Sequence, residues 1–141
     1  MTIAGKIAYI SNQNNKYINS KLKGKGVTYS EAKIIRVVYN NPGCTQDFLV
    51  KQMVVDKAVV ARSLKSMQDK GFVKRIMHED DKRKKIIKLT KKGYDIQPSI
   101  EYLFKQANKR LIATMNVDTK KDLNRLLNTL LSNSKTETQE L

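Results

Sequence analysis

The sequence predicts a mainly α-helical fold with one small β-hairpin, an α+β class. Three observations predict it. Apolar residues recur at three- and four-residue spacing over most of the chain, as in helices with one buried face. The period changes only once, where residues 72–77 and 86–89 form short apolar runs around residues 78–85, a stretch almost without apolar side chains. Gly24, Gly26, Asn41-Pro42-Gly43 and Gly71 punctuate the periodic segments.

Residues 3–22 carry Ile7, Ile10, Tyr17 and Ile18 at helical spacing around a polar centre at residues 12–15, and Gly24 and Gly26 end the segment. Thr28 or Ser30 can cap the next helix, which contains Ala32, Ile35, Val38 and Tyr39. Pro42 stops it, having no amide hydrogen to continue the ladder. Thr45 is the expected N-cap of a short third helix with Phe48, Leu49 and Gln52, and Asp47 in its first turn suits the helix dipole. After a turn at residues 53–55, Asp56 is expected to cap a fourth helix, closed by Gly71 in the left-handed conformation. The two strands follow. Thr90 is expected to cap a long helix running through Ile96, Ile100, Leu103, Phe104, Ala107, Leu111 and Met115. Pro98 either kinks this helix or marks where it properly starts. Asp118 or Thr119 is expected to open a last helix with Leu123, Leu126, Leu127, Leu130 and Leu131, and the polar tail from Ser132 is expected to fray.

The 141 residues suffice for one domain with a real core, taken as residues 1–141. With 28 Lys and Arg against 13 Asp and Glu, the formal net charge is +15. Such a domain attracts polyanions, nucleic acid first and an anionic membrane surface second; the plainer alternative is a surface of solvated lysines. No apolar run approaches bilayer length, the start lacks a secretory cleavage pattern, and the lone Cys44 cannot form an internal disulfide. The expected place is therefore the cytoplasm, with no membrane partner. One His and one Cys make no metal site, no nucleophile stands near His78, and no glycine-rich phosphate loop is present. No cofactor, no metal and no catalytic residue is expected, and the chain does not read as an enzyme.

Two short helices across a tight turn followed by a β-hairpin form the winged helix-turn-helix order. On the fourth helix Val60, Leu64 and Met67 can pack inward, which leaves Ala58, Arg62, Lys65 and Asp69 on the opposite face. The small side chains of Ala58, Val59 and Ala61 permit close approach to base edges. Val59 or Ala61 can meet a thymine methyl, Arg62 can reach guanine acceptors, and Lys57 and Lys65 suit phosphates. The alternative is an ordinary amphipathic helix with a solvated charged face. The hairpin favours the first reading. Lys82-Arg83-Lys84-Lys85 puts four cations in a row beside Glu79-Asp80-Asp81. Lys82, Arg83 and Lys84 near the tip suit a narrow minor groove, and Asp81 can hold the Arg83 guanidinium through a two-pronged ion pair.

Residues 56–93 resemble the signature of the MarR family of transcriptional regulators. The stretch reads Asp56-Lys57-Ala58-Val59-Val60-Ala61-Arg62, then Leu64, Met67 and Lys70-Gly71-Phe72-Val73. The wing supplies Arg75, Asp81-Lys82-Arg83, Ile87 and Leu89-Thr90, with Lys92-Gly93 opening the next helix. The resemblance implies a homodimer with interleaved terminal helices. Each subunit would place a recognition helix in the major groove of double-stranded DNA and a wing in the adjacent minor groove. The family's wing arginine falls on Arg83, its orienting aspartate on Asp81 and its recognition-helix arginine on Arg62. Ala58, Val59 and Ala61 depart from the Ser or Thr common in the family, which removes hydroxyls from the reading face.

The expected organisation is a DNA-binding region at residues 28–92 and a helical dimerisation region at residues 1–22 and 93–133. The long and last helices independently carry more Leu and Ile than a lone hairpin can cover. Many members of the family release DNA on binding a small phenolic molecule or on cysteine oxidation. Tyr9, Tyr17, Tyr29 and Tyr39 are the candidate lining for such a phenolic or aromatic effector, although aromatics at helical spacing also serve as core. Cys44 precedes a predicted helix start, a position that lowers a thiol pKa. Redox-sensing members carry their cysteine in the first helix, where this chain has none. Two other classes stay open: a winged helix that binds nucleic acid without sequence preference or ligand response, and a winged module that binds protein.

Overall fold

The computed structural model describes residues 1–136, arranged as α1 (Ile3–Leu22), α2 (Tyr29–Asn40), α3 (Gln46–Met53), α4 (Lys57–Asp69), β1 (Val73–Met77), β2 (Lys85–Leu89), α5 (Lys91–Ile112) and α6 (Val117–Thr136). The mainly helical fold with a two-stranded hairpin is the predicted class. The chain forms two compact units, residues 1–107 and the stretch from Asn108 onward.

In the first unit the starts of α1, α2, α3 and α5 each follow from a short polar side chain. Thr2 accepts from the Gly5 amide at 2.9 Å and Thr45 from the Phe48 amide at 3.2 Å. Thr28 and Glu31 form a reciprocal capping box: the Glu31 amide donates to the Thr28 hydroxyl, and the Thr28 amide to the Glu31 carboxylate. Thr90 caps α5 by accepting from Gly93. Asp56 stands at the N-cap of α4, but its side chain makes no capping hydrogen bond. Placing a short polar residue there satisfied the pattern and not the geometry.

The α2–α3–α4 helices pack on one another and on the hairpin. Their core is Ile34, Ile35 and Val38 of α2, Leu49 of α3, and Val60, Leu64 and Met67 of α4, closed below by Val73, Ile87 and Leu89. Ile18 and Leu22 of α1 and Ile100 and Ala107 of α5 are buried in the same cluster. The strands are antiparallel, with Val73 opposite Leu89 and Met77 opposite Lys85. Thr45 makes a further antiparallel bridge to Ile86, and the Ile87 amide donates to the Cys44 carbonyl at 3.0 Å. The residues before α3 thus form a short third edge beside β2. No apolar alternation announced it, because one bridge needs only two residues.

Several boundaries differ from the sequence expectation. α5 passes through Pro98 from Lys91, so the helix does not start at the proline. Proline still removes the donor that the Tyr94 carbonyl would use. α5 ends at Ile112, and Met115 lies in the following turn, where its amide donates to Ile112. In the second unit α6 opens at Val117. Its start is capped by Asn116, whose side chain accepts from the Thr119 amide at 2.8 Å, so Asp118 sits in the first turn instead of opening the helix. The helix continues past Ser132 to Thr136, since serine and asparagine on a solvated face do not by themselves end a helix.

Two residues carry backbone constraints that can be tested. Val54, in the α3–α4 turn, has φ 52° and ψ 46° and is 87% exposed. A β-branched residue in the left-handed region costs roughly 1–2 kcal/mol, and this exposed one gains almost nothing from burial. Val54→Asn is expected to stabilise the fold by about 1 kcal/mol, read as a higher urea midpoint with an unchanged m-value. Gly93 lies where α5 meets the start of the hairpin, and a Cβ there would stand 2.3 Å from the Phe72 carbonyl oxygen. Gly93→Ala must push the two segments apart; it is expected to destabilise by roughly 1–3 kcal/mol in the same measurement.

Candidate nucleic-acid interface

Helix α4 has two distinct faces. Val60, Leu64 and Met67 are buried, and Lys57, Ala58, Arg62, Lys65 and Asp69 are exposed. Val59 and Ala61 are half-buried at the border between them. The arrangement follows from helical spacing alone, because residues three and four apart share a side. A cation, Arg62, therefore stands one turn beyond Ala58, where no long side chain blocks approach to a groove.

The C-terminal end of α4 is held by charge. Glu31 is 3% exposed, and its carboxylate receives Lys70 Nζ at 2.8 Å. Burial pushes this carboxyl up, but the hydrogen bonds from Lys70, the Thr28 amide and Ser66, with the Lys70 charge, outweigh it and hold the pKa below the usual value. The Lys70 carbonyl in turn accepts from Lys92 Nζ at 2.7 Å, and that ammonium lies 4.4 Å from the centre of the Phe72 ring.

The wing is a closed loop with its cations outward. The His78 amide donates to the Lys84 carbonyl, the Lys84 amide to the Asp81 carbonyl, and the Asp80 amide to His78 Nδ1. His78 is thus a hairpin residue. Lys82, Arg83 and Lys84 are exposed, Arg83 to 92% of its side chain. One Asp81 oxygen, Oδ1, accepts both the Arg83 amide at 3.0 Å and Arg83 Nε at 3.3 Å. The expected two-pronged pair between carboxylate and guanidinium is therefore replaced by a backbone and a side-chain contact to one oxygen, since a separation of two residues places the Arg83 amide itself within reach. The Arg83 amide and then its side chain hold the Asp81 carboxyl below the ordinary aspartate value.

The wing is also coupled to the helices beside it. Arg75 of β1 donates from Nε to the Gln68 side chain of α4 at 3.0 Å. Thr45 and Asp47 from the α3 start, Arg75, and Arg83, Lys84 and Lys85 of the wing line a small cavity of about 210 Å³. Arg75, Lys85 and Thr45 were not among the sequence candidates for DNA contact. Lys85 was signalled as the last member of the cation run and Arg75 as one of the wing residues that carry the family resemblance; the approach of α3 to β2 depends on the tertiary bridge.

The four tyrosines do not share one surface. Tyr9 is exposed on α1, and Tyr17 is half-buried with Lys21 Nζ 5.6 Å from its ring centre. Tyr29 stacks on Phe104 at 5.8 Å, with its hydroxyl pKa raised by burial. Tyr39 meets Tyr94 edge to face at 6.2 Å. Of the four, Tyr39 lines an open groove of about 460 Å³ between α2 and α5, with Gln97, Pro98, Glu101 and Tyr102. Cys44 is half-buried, and burial pushes its thiol up. This reverses the expectation from its place before α3: desolvation of the thiolate exceeds what the helix start returns.

Among the described residues, no three His, Cys, Asp or Glu side chains gather as a metal group, and no helix is long and apolar enough to cross a membrane. The MarR family model matches residues 27–85. The chain is 29% identical over 114 residues to the transcriptional regulator BilQ of Clostridium symbiosum, covering 81% of this chain and 79% of that one. The solved structure of the transcriptional regulator SlyA superposes with a TM-score of 0.92 at 23% identity, over 97% of this chain and 96% of that one. MepR of Staphylococcus aureus, solved as a DNA complex, gives 0.88 at 20% identity, over 94% and 98%. These superpositions establish the fold.

The Asp81 contacts make a titration prediction. With its pKa lowered, the carboxylate stays ionised and bonded to Arg83 at neutral pH and releases it only in acid, below the range of an ordinary aspartate. In Arg83→Ala the backbone amide remains and the guanidinium is lost. Side-chain carboxyl NMR should then show the Asp81 pKa moving upward but stopping short of the ordinary value; an unmoved pKa would contradict the side-chain contact.

Proposed function

We propose that this chain is a member of the MarR family, whose model matches residues 27–85, and a sequence-specific transcriptional regulator that reads a palindromic DNA operator as a homodimer. Its relatives are transcriptional regulators rather than enzymes. The observation that carries the reading is the exposed Ala58–Arg62–Lys65 face of α4, set on a buried Val60–Leu64–Met67 stripe. A helix so anchored presents short side chains and one arginine to a major groove. Arg62 donates to guanine O6 and N7, Val59 and Ala61 border the thymine methyl, and Lys57 and Lys65 take phosphates. The wing enters the neighbouring minor groove with Arg83, flanked by Lys82 and Lys84, where the potential is most negative. That the structurally similar MepR was solved as a DNA complex supports DNA as the partner.

A second copy of the chain supplies the symmetry. Leu126, Leu127, Leu130 and Leu131 of α6 are all at least 37% exposed, an apolar strip that a monomer would leave in water. On α1, Ile3, Ile7 and Ile10 are likewise exposed. Burying such strips against a twin gives a C2 dimer whose two α4 helices face successive turns of one side of the duplex. Repression follows when the operator overlaps the start of transcription in the cytoplasm. The groove at Tyr39 and Tyr102, about 460 Å³ in volume, is of a size to take a small phenolic or aromatic effector that releases DNA.

Selection of bound sequences from a random duplex pool by the purified protein should return a palindrome with half-sites about one helical turn apart. Arg62→Ala should then relax preference at one base by roughly 1–3 kcal/mol. Arg83→Ala should weaken operator binding while sedimentation still reports a dimer. A pool with no enriched sequence would instead favour a winged helix that binds nucleic acid without preference.

A further inference from the structure

We infer that the cavity between the start of α3 and the root of the wing is a phosphate seat, holding one tetrahedral oxyanion between cationic walls. Arg75, Arg83, Lys84 and Lys85 line about 210 Å³ with Thr45, against the single carboxylate of Asp47. Four cations against one anion leave a strong surplus of positive charge in a space suited to a small, multiply charged ligand. No lining side chain is aromatic or aliphatic, so an aromatic acid would find no apolar wall here, in contrast to the groove at Tyr39. Gln46 also lines the cavity.

The seat is preorganised by contacts already in place. Gln68 takes the Nε–H of Arg75 and so fixes the plane of a guanidinium suited to forked contact with phosphate. The Thr45–Ile86 bridge fixes the α3 start against β2, next to Lys85. Backbone bonds from His78 to Lys84 and from Lys84 to Asp81 hold the loop that carries the cations. Because Arg75 is tied to α4 and the other cations belong to the wing, the seat lies between the two elements assigned to DNA. Its occupant, resting on the regulator reading above, is a backbone phosphate between the groove read by α4 and the groove entered by the wing. Free inorganic phosphate offers the same chemistry.

The test uses the full chain, with Lys85→Gln beside Arg75→Gln. Lys85→Gln serves as the safer variant, since loss of the Arg75–Gln68 bond can perturb folding; thermal melts followed by circular dichroism check both. Affinity for the selected operator and for random duplex is measured against KCl concentration. The expected result for each variant is a salt slope shallower by about two for the dimer, one per seat, and a roughly sixtyfold loss at 0.1 M salt. That loss should be equal on both duplexes, because a phosphate carries no sequence. A neutral methylphosphonate scanned along the operator should find one position in each half-site that weakens the wild type and leaves Lys85→Gln unaffected. Calorimetric titration of inorganic phosphate into DNA-free protein distinguishes the sources. Binding lost in Lys85→Gln, with the DNA salt slope unchanged, assigns the seat to a free anion. Unchanged slopes with no phosphate binding overturn the seat. Should the wild type bind no DNA, the regulator reading fails while the phosphate titration still decides the seat.

Discussion

The fold depends on the backbone at Lys70–Phe72, where α4 ends and the wing begins. The Phe72 carbonyl accepts from the Thr90 amide at 3.0 Å and lies 3.1 Å from the Thr90 hydroxyl, which also donates to the Gly71 carbonyl. Gly71 has φ 84°, so the chain can leave α4 through the left-handed conformation and turn at once into β1. Gly93 brings α5 so close to the Phe72 carbonyl that no side chain fits between. Three elements are therefore pinned at one point: the end of α4, both roots of the hairpin, and the start of α5. A shift of this junction would tilt the α4 face and the wing together.

Electrostatics strengthens the same junction. Lys70 reaches Glu31 across the core, and Lys92 reaches the Lys70 carbonyl while lying over Phe72. Glu31 is a buried acid in a chain of net charge +15, and its role is to cap α2 while receiving a cation from the end of α4. Other cations are spent in ties to neighbouring elements, such as Arg36 with Glu101 at 3.1 Å. Arg62, Lys65 and Lys82–Lys85 are exposed together on α4 and the wing. The total charge says little about where a polyanion goes; the grouping of exposed cations on those two elements says more.

Much of this was legible beforehand because it follows from local spacing. The α4 stripe, the hairpin runs and the Thr28, Thr45 and Thr90 caps each depend on residues within a few positions of one another. The corrections have the opposite character. Asp56 occupies a cap position without capping, and Asn116 caps α6 where Asp118 or Thr119 was expected. Pro98 lies inside a continuous α5 because only one carbonyl loses its donor. The Asp81–Arg83 pair closes through a backbone amide, and Cys44 is governed by its burial instead of its helix. Each outcome turns on which partner is nearest in space, and several competitors lie equally near in sequence.

By itself the sequence determined the order of elements, the buried face of each helix, and the family likeness of residues 56–93, since periodicity and turn residues act over one or two turns of chain. The tertiary structure decided how those elements share contacts. It paired Thr45 with Ile86, Glu31 with Lys70 and Arg75 with Gln68, and it gathered Arg75 and Lys85 around one cavity. Those pairings join residues 7 to 41 positions apart, and no local pattern selects them. They form because burying the common core leaves each polar group only the partner that the packing brings within reach.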